Sequence, residues 1–155
     1  PANVQRIGTN GVAYLTGLKN FNVESIDTLL NSFFSNYEEM PTQYSRSLTV
    51  NHQPLVNLIL PESPVSGLRQ FLRNVLTLES VELPSTQSSI NMAAFMNCTN
   101  LKTISFKKTE PSKLDSSAFS GCPINKVIVP KGCADVYKSA TNYAKWGDYI
   151  EEETE

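Results

Sequence analysis

One apolar phrase returns in this chain at a single fixed distance. Leu55-x-x-Leu58-x-Leu60-Pro61 becomes Leu78-x-x-Val81-x-Leu83-Pro84 after 23 residues. The same shift gives Leu101-x-x-Ile104-x-Phe106-Lys107, and once more Ile124-x-x-Val127-x-Val129-Pro130. Three apolar columns hold through all four copies, and the proline column breaks only at Lys107. A strand shows alternate side chains to opposite faces. Repeated strands of this kind therefore stack their apolar members into columns, coil on coil. A period of about 20–29 residues with this core predicts a leucine-rich solenoid.

The remainder of each repeat agrees. Ala94-Phe95-Met96-Asn97-Cys98 returns as Ala118-Phe119-Ser120-Gly121-Cys122, and a weaker copy precedes it at Phe71 to Val75. Ile7 precedes Leu18 as Ile90 precedes Leu101, so Leu18-x-x-Phe21-x-Val23 reads as an N-terminal fifth strand. The step from Leu18 to Leu55 is longer than the period, and the excess falls in 24 to 54. Helical spacing over 25 to 34 puts Ile26, Leu29, Leu30 and Phe33 on one face, with Ser25 as N-cap. A loop from Pro41 to Pro54 follows, with room for a short strand at Leu48-Thr49-Val50. Past Pro130 the period is expected to stop. Asp135 to Ala140 and Tyr143 to Ile150 have helical patterning and should close the open end of the core. Glu151 to Glu153 then form a solvated acidic end. The whole chain, 1–155, is thus one domain: a degenerate N-terminal repeat plus insertion (1–54), regular repeats (55–130) and a cap (131–155).

Within a coil, Leu58, Leu60, Val81, Leu83, Ile104, Phe106, Val127 and Val129 face inward. Pro61, Pro84 and Pro130 carry no N–H and should end the ladder at one level. Ser85 to Ser89 read as a polar turn, after which Phe95 and Phe119 plug the core from the other wall. Cys98 and Cys122 read as small buried hydrophobes. A Cys98–Cys122 bridge is the alternative, if their Cα atoms lie within about 7 Å.

Composition narrows the function classes. Thirteen basic and fifteen acidic residues leave a net charge of −2, which gives no reason to expect nucleic acid as partner. No apolar run approaches the roughly 18 residues of a membrane span, so direct membrane insertion is not expected. Three cysteines do not make a disulfide framework. The chain starts at Pro1 rather than Met, which suggests processing or excision, with any leader or anchor then out of view.

The phrase L-x-x-I-x-L-P, a polar turn, then I-x-x-x-A-F-x-x-C-x-x-L resembles the BspA-type leucine-rich repeat of bacterial surface proteins. Leu78, Val81, Leu83, Pro84, Ile90, Ala94, Phe95, Cys98 and Leu101 occupy it, and Leu101, Ile104, Phe106, Leu114, Ala118, Phe119, Cys122 and Ile124 occupy it again. Val129-Pro130-Lys131-Gly132, Val136-Tyr137-Lys138, Trp146 and Ile150 resemble the closing segment of that family. The resemblance implies an extracellular or cell-surface protein without catalysis, used for adhesion or protein binding, with a host extracellular-matrix or surface protein as partner. The expected fold is an α/β repeat solenoid. It is a right-handed superhelix with a short-stranded parallel sheet on its concave face, an irregular or short helical convex side and a helical C-terminal cap.

Function is then expected on the outward strand positions. One column is Asn20, Asn57, Ser80, Thr103 and Lys126, and the other is Asn22, Ile59, Glu82, Ser105 and Ile128. The candidate ligand-binding set is Asn57, Ile59, Ser80, Glu82, Thr103, Ser105, Lys126 and Ile128. It holds no aromatic and no Arg, the types enriched at binding hot spots. The 24–54 insertion is the competing surface, and a passive spacer is the competing role. The single histidine, His52, could pair with Cys98, Cys122 or Cys133 as a cysteine hydrolase. No sequence motif supports that pairing. No metal or cofactor is expected, because no Cys/His cluster has ligand spacing and Gly8, Gly11 and Gly17 do not form a phosphate loop. Asp115 and Asp135 read as a turn residue and a helix cap. Asn97-Cys98-Thr99 matches the N-x-T sequon, but Asn97 is placed in the packed half of the repeat.

Overall fold

The computed structural model describes residues 20–27, 47–62, 68 and 72–154. The repeat period is written into its main sheet. Strands β4 (Asn57–Ile59), β5 (Ser80–Leu83), β7 (Thr103–Phe106) and β9 (Lys126–Val129) run parallel, each paired with its copy one period on. Leu58, Val81, Ile104 and Val127 share one level and are all buried. A single coil has too few apolar side chains to offset the entropy of fixing its backbone, so each coil depends on the two that cover it.

The prolines set the strand ends. After Leu83 and Val129 come Pro84 and Pro130, and the ladder stops. Where Lys107 and, 23 residues after Pro130, Glu153 stand in the proline column, the ladder runs on by one bond: Lys107 N–H donates to Leu83 O and Glu153 N–H to Val129 O, each at 2.9 Å. Pro84 and Pro130 have no N–H to make that bond, although β5, β7 and β9 are each four residues long.

The opposite wall was expected to be irregular or helical. It carries turns and very short strands instead. Strand β6 (Ser89–Ile90) pairs in parallel with β8 (Lys113–Leu114), and Leu68 makes an isolated parallel bridge to Ile90. Gln87, in the expected polar turn, is buried and donates to Ser89 O, while Ser112 Oγ donates to Gln87 O. Phe95 stacks on Phe119 at 4.9 Å with planes 5° apart, and Trp146 closes the row edge-on at 5.5 Å. Asn74, Asn97 and Gly121 hold the same left-handed turn in successive coils, at φ 61°, 60° and 77°. Asn97 is exposed there rather than packed, its amide donating to Asn74 Oδ1. Asp115 is the turn residue expected, its carboxylate accepting from Ser117 N–H and O–H.

The period does not stop at Pro130. Helix α1 (Ala134–Ser139) and a 3-10 helix (Ala144–Tyr149) are followed by strand β10 (Ile150–Glu152), parallel to β9. Ile150 lies beside Val127, one more step of 23, so the acidic end is a fifth strand of the sheet. Asp135 does not cap α1. Cys133 is the N-cap residue, without a side-chain bond, and Glu152 of β10 instead accepts from Ala134 N–H at 3.1 Å. Tyr137 and Tyr143 pack on Phe106 and donate to Lys108 O and Ser112 O of the last coil. Burial pushes both phenols above their ordinary range.

At the other end the fifth column was misassigned. Strand β1 (Phe21–Val23) pairs in parallel with β2 (Leu48–Val50), not with β4. Strand β2 turns through Asn51 and His52, both at positive φ, into β3 (Gln53–Pro54). This three-stranded sheet takes Asn22 away from the column of Ile59 and places it beside Thr49, whose hydroxyl donates to Asn22 Oδ1. Ile26 and Asp27 are helical. The rest of the helix expected over 25 to 34 lies outside the described residues, as do Ile7, Leu18 and Phe71. Val23 and Leu48 share one continuous core with the regular coils and the cap.

Candidate interaction groove

The outward side chains of the five-stranded sheet line one groove. All eight expected residues are in it: Asn57, Ile59, Ser80, Glu82, Thr103, Ser105, Lys126 and Ile128. They converge because the register repeats every 23 residues and the side-chain period in a strand is 2. Their exposure is uneven. Ile59, on edge strand β4, is 69% exposed, whereas Ser105 is 8% exposed and forms the floor. Ser80 O–H donates to Asn57 Oδ1 at 2.6 Å. Asn20 and Asn22 are absent from the lining.

The cap supplies a wall that the sequence reading missed. Lys107, Glu151, Glu152, Glu153 and Thr154 line the same groove. Lys107 Nζ lies 3.2 Å from Glu153 and 3.6 Å from Glu82, and Lys126 Nζ lies 2.6 Å from Glu151. The Glu153 carboxylate, aided by Glu82, holds the Lys107 ammonium above its ordinary value against slight burial. Such exposed pairs each contribute about 0–1 kcal/mol, so they shape the charge pattern more than the stability. Glu151 continues the column of Ile59, Glu82, Ser105 and Ile128. One further step of 23 from Ile128 would have found it. Tyr149, the last residue of the 3-10 helix, is 47% exposed but does not line the groove.

The chemical constellations considered from sequence are not assembled. His52 sits in the β2–β3 turn, its backbone N–H donating to Asn22 Oδ1. Cys98 and Cys122 are free thiols facing the core, and Cys133 opens α1. Among the described residues, no group of three His, Cys, Asp or Glu could hold a metal ion, and no helix is long and apolar enough to cross a membrane.

The family model for the BspA type leucine rich repeat region matches residues 50–145, in six copies. The chain belongs to the BspA-type leucine-rich repeat family. The match runs from the last residue of β2 to the start of the 3-10 helix, so it covers β3, the regular coils and most of the cap. Repeats of this family are protein-interaction domains in general. The comparison with curated proteins finds no match.

Proposed function

We propose that this chain is a non-catalytic interaction module, secreted or held at the cell surface, that binds a protein of a host or neighbouring cell in the groove of a right-handed superhelix. The observation that carries this reading is the groove itself. Five strands in one register present small polar side chains, Ser80, Thr103 and Ser105, along its length. Ile59 and Ile128 offer apolar contact toward either end. Concave repeat surfaces of this form suit an extended partner. The cysteines serve the core, and His52 a turn, which supports the non-catalytic part.

A passive spacer is the second reading. It is favoured by the way Glu82, Lys107 and Glu153, and Lys126 with Glu151, satisfy one another. Capture of extracellular-matrix and cell-surface proteins by the immobilised chain separates the two. Under the binding reading, Ile59→Asp combined with Lys126→Glu abolishes capture at an unchanged melting temperature. Capture unaffected by this pair would remove the groove as the site, and no capture by the parent chain would leave the spacer.

A further inference from the structure

Cys98 and Cys122 stand at equivalent places in successive coils, behind the left-handed residues Asn97 and Gly121. The backbones are in ladder contact at this level. Phe95 N–H donates to Ala118 O at 2.7 Å and Asn97 N–H to Ser120 O at 2.8 Å. A Cβ at Gly121 would lie 3.4 Å from Asn97 Cα. Each sulfur also approaches a carbonyl of the preceding coil: Cys98 Sγ is 3.1 Å from Leu72 O, and Cys122 Sγ is 2.9 Å from Phe95 O. Neighbouring strands lie about 4.8 Å apart, inside the Cα separation of about 4.4–6.8 Å that a disulfide accepts.

The two sulfurs differ in access. Cys98 is fully buried, and Cys122 is half-buried at the wall. Lys145, exposed, lies over the Trp146 ring at 4.7 Å and donates to Ser116 O at 3.5 Å. One thiol is thus reachable, and the other waits behind it. That is the layout of an attacking and a resolving cysteine.

We propose that Cys98 and Cys122 form a dithiol that low-molecular-weight disulfides of the glutathione class convert to an inter-coil disulfide. In the first step Cys122 loses its proton to solvent, and its sulfur attacks the small disulfide RSSR. The Cys122–SR bond forms, the S–S bond of RSSR breaks, and one thiolate leaves. In the second step Cys98 loses its proton, and its sulfur attacks the Cys122 sulfur. The Cys98–Cys122 bond forms and the second thiolate leaves. The two protein thiols are oxidised by two electrons, and one small disulfide is reduced to two thiols.

The environment sets the order and the pace. The neighbouring Cys98 thiol, with the Lys145 ammonium, holds Cys122 below the ordinary thiol value against its burial. The hydrogen bond with Cys122, and then burial, push Cys98 far above it. Closure needs the thiolate of the fully buried Cys98 and therefore accelerates as pH rises. Cys133, buried in the cap with its sulfur 3.8 Å from Lys131 O, lies outside the pair and is the internal control.

The test uses the full reduced chain, oxidised glutathione as probe, an alkylating quench and peptide mass spectrometry. A glutathione adduct at Cys122 should come first and give way to a Cys98–Cys122 cross-linked peptide, with Cys133 still alkylated. Cys98→Ser should trap the adduct on Cys122. Cys122→Ser should leave Cys98 unmodified over the same period. Circular dichroism checks that both variants fold, and the wild-type time course decides the matter if one does not. A wild-type adduct at Cys122 that never closes would overturn the proposal. So would a cross-link through Cys133, or an inert native chain when the urea-unfolded chain reacts fully.

Discussion

Single residues serve two structures at once here, and Glu152 shows it best. It is a strand residue whose carboxylate accepts from Ala134 N–H and so takes the place of a side-chain N-cap on α1. The backbone N–H groups of Gly132 and Ala134 hold it below its ordinary value of 4.5. A depressed carboxylate stabilises the fold above its unfolded pKa, and that stability is lost as pH falls through its folded pKa. Glu152→Gln should therefore lower the melting temperature at pH 7. The gap to wild type should close as pH drops below 4.5 toward the depressed value. Thermal melts across pH 2–7 read this directly, and a gap independent of pH would show that Glu152 acts only through packing. From sequence alone the role was hidden, because a cap donated from a strand has no local spacing. The turn chemistry of Asp115 was legible for the opposite reason: Ser117, its partner, is two residues away.

At the scale of elements, legibility tracked the apolar columns. Strands β4, β5, β7 and β9 were read correctly because three inward positions repeat without fault. Strand β10 was missed because its copy of the phrase is Gly147-x-x-Ile150-x-Glu152, with one apolar member left. Strand β2 was foreseen only as an option, and its partner was not, since Asn20 and Asn22 were aligned with Asn57 and Ile59 of β4. The physical weight of β10 should lie in that one apolar member. Ile150 is 7% exposed beside Val127, while Glu151 is exposed. Ile150→Ala should cost about 2–5 kcal/mol through a cavity at the end of the core. Glu151→Ala should cost no more than about 1 kcal/mol. Urea denaturation of the two variants compares them, and equal losses would mean that β10 is held by its ion pairs rather than its packing.

For the molecule as a whole, one contiguous core from Val23 and Leu48 to Ile150 links units that each lack a core of their own. Stability in such an array depends on nearest-neighbour interfaces. Whether those interfaces couple the ends can be read from one residue, because Trp146 is the sole tryptophan and sits in the cap against Phe119. Leu58 lies in edge strand β4 at the other end of the sheet, 1% exposed. Leu58→Ala should remove about 2–5 kcal/mol at that end. If the coils unfold together, the Trp146 fluorescence midpoint in urea shifts as far as the far-UV circular dichroism midpoint, although the substitution is in one edge strand and the reporter in the 3-10 helix that leads into the other. The continuous Phe95, Phe119 and Trp146 row and the unbroken column from Leu58 to Ile150 both favour this outcome. A Trp146 midpoint that stays put while the dichroism transition broadens would mean the cap and last coils fold as a separate unit. In that case an extended ligand spanning the groove would have to hold together two units that do not hold each other.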